Sequence, residues 1–271
     1  MNGASREALA AARERLDALT DNTSVDAGRL ADELAAVTAL LDREVSLRRV
    51  LTDPAQAGEA KAELAQRLLA GQVGGEAADL LAGMVRSRWS QSRDLVDALE
   101  ELADTADLTA AQKAGTLDDV EDELFRFGRI VSSSTELRAA LTDRAAATSA
   151  KRELLRSLLG GRAKATTERL VTRLVTAPRG RSLESGLESL SKLAAERRER
   201  LVAVVTTAVP LSDTQKRRLG AALGKLYGHT MHLNIDVDPE VVGGIRVQVG
   251  DEVINGSLAD RIEDAGRRLA S

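Results

Sequence analysis

The sequence predicts an α+β protein: two consecutive all-α helical bundles, related by internal duplication, followed by a small C-terminal α/β domain. Three observations carry this. Residues 30 to 85 lie over residues 120 to 175 without a gap at an offset of 90. Leucines recur at helical spacing as far as Arg200. Beyond it, β-branched runs and strict alternation take over. The divisions that follow are 1–104 for the first bundle, 105–199 for the second and 200–271 for the α/β domain.

The duplication is carried by specific matches. Asp32-Glu33-Leu34 meets Asp122-Glu123-Leu124, Leu47-Arg48 meets Leu137-Arg138, and Leu51-Thr52-Asp53 meets Leu141-Thr142-Asp143. Lys61 with Lys151, Leu64 with Leu154, Gly71 with Gly161 and Val85 with Val175 continue the alignment. Two diverged copies of one helical unit are the simplest account.

Taken in order, Leu9, Ala12, Leu16 and Leu19 line one face of a first helix, and Leu30, Leu34, Val37 and Leu41 line a second. This is the stripe of a helix that buries one side. In the second copy Leu117, Val120, Leu124, Phe127 and Val131 repeat it. The Leu-Thr-Asp tripeptide reads as a helix boundary, with Asp53 as N-cap and Pro54 in the first turn of the next helix. Gly71 and Gly160-Gly161 fall where a left-handed C-terminal cap belongs. Leu95 to Ala110 reads two ways, as one helix shared by both copies or as two short helices joined near Asp104 to Asp107.

After Arg200, Leu201 to Val209 reads as a buried strand ending at Pro210. Ser212-Asp213-Thr214-Gln215 is a capping box for a helix that carries Leu219, Leu223 and Leu226 and stops at Gly228. Met231, Leu233, Ile235 and Val237 then alternate with polar residues, as do Ile245, Val247 and Val249. Gly250-Asp251 and Asn255-Gly256 tolerate positive φ and read as tight turns. Ser257 opens S-x-x-D, with Asp260 reaching back, for a last helix whose apolar face is Leu258, Ile262, Ala265 and Leu269.

Composition excludes several classes of function. The chain has 271 residues, 43% of them hydrophobic, but its aromatics are only Trp89, Phe125, Phe127 and Tyr227. Its cores are therefore built from Leu, Val, Ile and Ala, which suits helices on helices. Zero cysteines remove disulfides, thiol nucleophiles and cysteine zinc sites. A net charge of −4 and the lack of stacking aromatics argue against nucleic acid. No apolar run approaches the roughly 18 to 20 residues that span a bilayer, and Met-Asn-Gly-Ala-Ser-Arg-Glu has no signal core.

The search for catalytic chemistry returns none. Gly220 to Lys225 superficially suggests a phosphate loop but lacks Ser or Thr after the lysine and lies inside an amphipathic helix. His229 and His232, three apart in a strand, point to opposite faces and do not share a metal. The carboxylates fall on helix faces opposite the leucines and read as solvated. Glu196 to Arg200 reads as a solvated helix end before a docking patch. Gly243-Gly244 reads as a bulge at a strand start before a place of close approach. No catalytic residue, metal ligand or cofactor is assigned.

The string from Leu201 through Val-Thr-Thr-Ala-Val-Pro-Leu-Ser, its helix, then Val-Asp-Pro-Glu-Val-Val-Gly-Gly-Ile-Arg-Val-Gln-Val-Gly-Asp-Glu-Val-Ile-Asn-Gly-Ser (Val237 to Ser257) and a last amphipathic helix resembles the C-terminal domain of the F-type ATP synthase delta subunit family, the oligomycin-sensitivity-conferring proteins. The turn residues of that motif are Pro239, Gly243, Gly244, Gly250, Asn255 and Gly256. Upstream, Leu-Thr-Asp-Pro and the Leu-Leu-x-Gly helix end are similar to that family's helical bundle. Two bundles in place of the usual one make this resemble a long, actinobacterial-like form.

The resemblance implies a non-catalytic stator subunit of the peripheral stalk, without cofactor. Its partners would be the N-terminal segments of alpha subunits and a b-type stalk subunit. It would lie on the cytoplasmic face of the cell membrane, associated with it only through the complex. The second copy would hold the family's usual place, and the first would be the addition. A helical adaptor that binds amphipathic helices outside the synthase is the alternative, and an enzyme with a small α/β active-site domain is a third reading.

Overall fold

The computed structural model describes residues 1–21, 24–199, 202–227, 231–238, 244–250 and 252–255. The chain divides into two compact units, Met1–Ala194 and Ala195–Ser271.

The helices of the first unit are α1 (Gly3–Asp21), α2 (Ala27–Arg43), α3 (Val45–Thr52), α4 (Gly58–Leu69), α5 (Gly75–Arg86) and α6 (Ser92–Lys113). They continue as α7 (Leu117–Ser133), α8 (Thr135–Thr142), α9 (Thr148–Leu159), α10 (Ala165–Thr176) and α11 (Leu183–Glu199), the last of which crosses the division at Ala194. From α7 to α10, each helix starts and stops 90 residues after its counterpart among α2 to α5. The same local signals therefore act twice. Gly71 and Gly161 both take φ +71, one residue past the C-cap, where the absent Cβ makes the left-handed conformation cheap.

Leu95 to Ala110 lies within one continuous helix, α6, which closes the first copy and opens the second. Its surroundings explain its length. From Leu102 to Thr109 every residue is buried, as in a helix enclosed on all sides. One side meets α1, α2 and α5; α7 and α10 meet it from the second copy. The first core joins Leu16, Leu34, Leu41, Leu80, Leu99 and Leu102, all fully enclosed. Trp89 closes its edge, with Nε1 donating to the Met84 carbonyl at 2.8 Å. In the second copy Leu117, Val120, Leu124, Phe127 and Val131 are buried together, as their spacing predicts.

Two local readings are corrected. Asp53 ends α3 but does not cap α4: its carboxylate accepts from the Ala55 amide at 2.9 Å, and Pro54 lies in that turn, so the next helix waits until Gly58. Asp143 repeats the turn onto Ala145 at 2.8 Å. An Asx turn has taken the side chain that an N-cap would use. Gly160 is not left-handed, at φ −56; only Gly161 is.

The second unit holds β1 (Val202–Thr207), α12 (Asp213–Tyr227), β2 (His232–Val237), β3 (Ile245–Val249) and β4 (Glu252–Asn255). The sheet order is β2-β1-β3-β4, with β1 parallel to β2 through the α12 crossover and the other pairs antiparallel. Ala203, Val205, Val247, Val249 and Met231 face Leu223 across the core. The capping box closes as predicted, with Ser212 N donating to Gln215 Oε1 at 2.9 Å and Gln215 N to Ser212 Oγ at 3.3 Å. Leu226 is 66% exposed and does not join that core, because the stripe runs through Leu219 and Leu223 to Tyr227. Val237, at the end of β2, is also exposed.

Candidate partner-binding site

The helical unit joins its two copies through charge. Arg169 reaches Asp32 at 2.6 Å and Asp107 at 2.8 Å. Arg173 reaches Asp104 and Asp107, each at 2.6 Å. The Arg179 side chain is buried and spans Glu100 at 3.0 Å, Asp97, Asp42 at 3.5 Å and the Val96 carbonyl at 3.3 Å. Arg181 closes on Glu100 at 2.6 Å. Four arginines from the second copy thus meet carboxylates on α2 and α6, and Arg179 holds φ +51 to do so.

This corrects the reading of the carboxylates as solvated. Asp94, Glu100, Asp104 and Asp107 are buried. Burial outweighs the Arg173 guanidinium and, with Glu100 and Asp107 adjacent, pushes the Asp104 carboxyl up to about 7. Asp107 is raised for the same first cause. Buried pairs of this kind fix one arrangement more than they add net stability.

The other feature of this unit is an open groove of about 590 Å³ between α7 and α11. Leu124 and Leu187 form its floor and are buried. Phe125 stands on its wall 59% exposed, in a chain with two phenylalanines. Gly128 brings α7 close to α11: a Cβ there would lie 4.0 Å from that of Leu187. Arg129 and Glu188 flank it, and neither has an ionic or hydrogen-bonding partner among the described residues. Composition alone did not reveal this groove, although an aromatic residue at Phe125, outside the apolar stripe, was its one signal.

In the second unit Gly244 takes φ +95 beside the start of β3. Gly250 takes φ +56 in the hairpin loop, where Val249 pairs with Glu252. Asn255 ends β4 opposite Arg246. Pro239, Gly243 and Gly256, the Asp251 turn partner, the Ser257 cap and the last predicted helix lie outside the described residues. Tyr227 donates to Glu252 at 2.9 Å, and burial with this carboxylate raises its hydroxyl to about 12.

Gly220 to Lys225 runs inside α12. His232 is in β2, and His229 lies outside the described residues. Arg197 is buried and Arg198 exposed, so the Glu196 to Arg200 segment is not wholly a solvated end. Among the described residues no group of three or more His, Asp or Glu is placed to hold a metal, and no helix is long and apolar enough to cross a membrane.

Residues 105–269 match the family model described as ATP synthase delta (OSCP) subunit. That span begins within α6, so it holds the second copy and the α/β unit. A protein of Streptomyces coelicolor named ATP synthase subunit delta is 84% identical over 271 residues, covering 100% of this chain and 99% of its own. A Thermobifida fusca protein of the same name is 49% identical over 270 residues and 100% of both chains. These relatives therefore align across the first copy as well. A chain in a structure of the Toxoplasma gondii mitochondrial ATP synthase hexamer matches 62% of this chain and 95% of its own at 24% identity, with a TM-score of 0.33.

Proposed function

The chain belongs to the ATP synthase delta (OSCP) subunit family, a structural and non-catalytic subunit, and on that premise we propose that it is the stator link of its synthase. In this reading it joins the catalytic alpha3-beta3 head to the b-type stalk, so that the head does not turn with the rotor. The observation that carries the reading is the span of the family match, which takes in the second helical copy and the α/β unit together.

The division of labour follows from what each part offers. The second helical copy presents a groove suited to the N-terminal segment of an alpha subunit, since a groove takes an amphipathic helix through anchors at i, i+3 and i+4. The α/β unit, with its turns at Gly244 and Gly250 and the motif residues Pro239, Gly243, Asn255 and Gly256, contacts the stalk. The first copy adds a further contact with head or stalk. The chain reaches the cytoplasmic face of the membrane as part of the complex and needs no cofactor. The division into 1–104, 105–199 and 200–271 is the functional one, with α6 shared across the first boundary.

Mechanically, the ionic seam suits torque transmission. Arg169 grips Asp32 through both terminal nitrogens, and Arg173 and Arg179 each bridge two carboxylates, so the seam resists shear between the copies more directionally than leucine packing alone. The test is reconstitution of membranes lacking this chain. Adding it back restores proton-driven ATP synthesis and head retention, while ATP hydrolysis by the detached head proceeds without it. Full coupling in its absence would sink the stator role and favour an adaptor outside the synthase.

A further inference from the structure

We infer that the α7/α11 groove is a docking site for an amphipathic helix of a partner subunit that presents an arginine to Glu188. This rests on the stator reading and names the surface within it. The internal duplication supplies the argument. α7 repeats α2 at the offset of 90, and α11 repeats α6, with its buried Leu183, Leu187, Leu190 and Ala194 following the spacing of Leu95, Leu99, Leu102 and Ala106. The last helix is thus two residues nearer in register. Glu188 stands where Glu100 stands, and Ser132 where Asp42 stands.

The equivalent face of the first copy is occupied. Arg179 enters it from the second copy, lying between Asp42 on α2 and Glu100 on α6 and donating to the Val96 carbonyl, while Arg181 takes the other oxygen of Glu100. The second copy offers the same face with no further copy to fill it. Unlike the first, it carries apolar surface: Phe125 replaces Ala35 and is 59% exposed above Leu124 and Leu187. Terminal repeats are ordinarily closed by a polar outer face, and the exposed Phe125 departs from that.

Charge sets the orientation. Glu188 lies on the α11 side and Arg129 on the α7 side, each without a partner among the described residues. A helix seated there therefore turns a cation towards α11 and an anion towards α7, with apolar residues at i and i+4 against Phe125 and Leu187. From Leu124 to Ser133 the groove runs about 13 Å, enough for two to three turns.

The test uses the assembled synthase carrying a photo-reactive benzoylphenylalanine in place of Phe125, with the same residue in place of exposed Glu153 on α9 as control. The expected result is a cross-link from position 125 to an arginine-bearing helix of another subunit. Adding Glu188→Lys should cut its yield about tenfold, and Glu188→Gln should have an intermediate effect, while assembly is unchanged. No cross-link from position 125, a cross-link to a second copy of this chain, or a yield indifferent to Glu188→Lys overturns the inference and leaves the stator reading intact. If the chain does not copurify with the synthase at all, the stator reading fails, and this occupant with it.

Discussion

Arg173 on α10 donates to Asp104 at 2.6 Å, near the middle of the helix that both copies share. The Arg173 side chain is 16% exposed and that of Asp104 12%, and the same guanidinium serves Asp107 at 2.6 Å. Removing it leaves two buried carboxylates facing one remaining arginine, Arg169. Arg173→Ala is expected to destabilise the helical unit by about 3 kcal/mol, within the range for a broken buried pair. Urea unfolding followed by circular dichroism measures it. A change under about 0.5 kcal/mol would mean the seam adds nothing to cohesion.

The same aspartate sets a pH dependence. Its carboxyl is raised from 3.8 to about 7, with Arg173, Glu100 and Asp107 around it. Between those values the folded chain holds a proton that the unfolded chain has lost, so this contribution to stability falls as pH rises from about 4 to 7 and is flat above that. The slope is at most about 1.4 kcal/mol per pH unit. Asp104→Asn removes it. The stability difference between wild type and variant, followed over that window, should decline with pH. A difference that rises or stays level would show that Asp104 is ionised throughout.

What the sequence shows and what it hides divide along the range of the interactions. The stripes of α1, α2 and α7, the capping box at Ser212 and the alternation of β3 are local, and residues a few positions apart determine them. The duplication was legible for the same reason, since each helix carries its own stop signals. Leu95 to Ala110 reads two ways because it serves both as the last helix of one copy and as the first of the next, and the pairing of its Asp104 and Asp107 with Arg173, 69 and 66 residues away, is no local signal. The α7/α11 groove depends in turn on how two distant helices approach. Asp53 misled within local range, because capping a helix and making an Asx turn use the same side chain.

Close approach of α10 and α11 depends on Gly186. A Cβ at this position would fall 2.8 Å from Leu174 Cδ2 and 3.0 Å from Cγ, and nearer still to Cδ1. Leu174 is itself buried at 5% exposure, so its rotation is confined. Gly186→Ala is expected to cost about 1 to 3 kcal/mol through overpacking, despite the better helix propensity of alanine. Pairing it with Leu174→Ala should produce a double-mutant coupling of opposite sign, because the added methyl then enters the space vacated. Strict additivity of the two would show that Gly186 is not a packing constraint.

Gly250 tests the α/β unit separately from the helical one. It takes φ +56 in a loop closed by the Val249 and Glu252 pair, a conformation that a β-branched side chain meets with strain. Gly250→Val is expected to cost about 1 to 3 kcal/mol. The four-stranded sheet is small, and its hairpin β3-β4 supplies Val247 and Val249 to the core, so this loss is a large share of what the unit has. The residues of the ionic seam and the α7/α11 groove belong to the helical unit, not to this one. The variant should therefore still bind the head while losing its hold on the stalk. Membranes carrying it should lose proton-driven synthesis, and the released head should keep hydrolysing ATP with this chain attached. If the α/β unit is unfolded by hydrogen exchange and synthesis is nevertheless unchanged, stalk contact does not run through this unit.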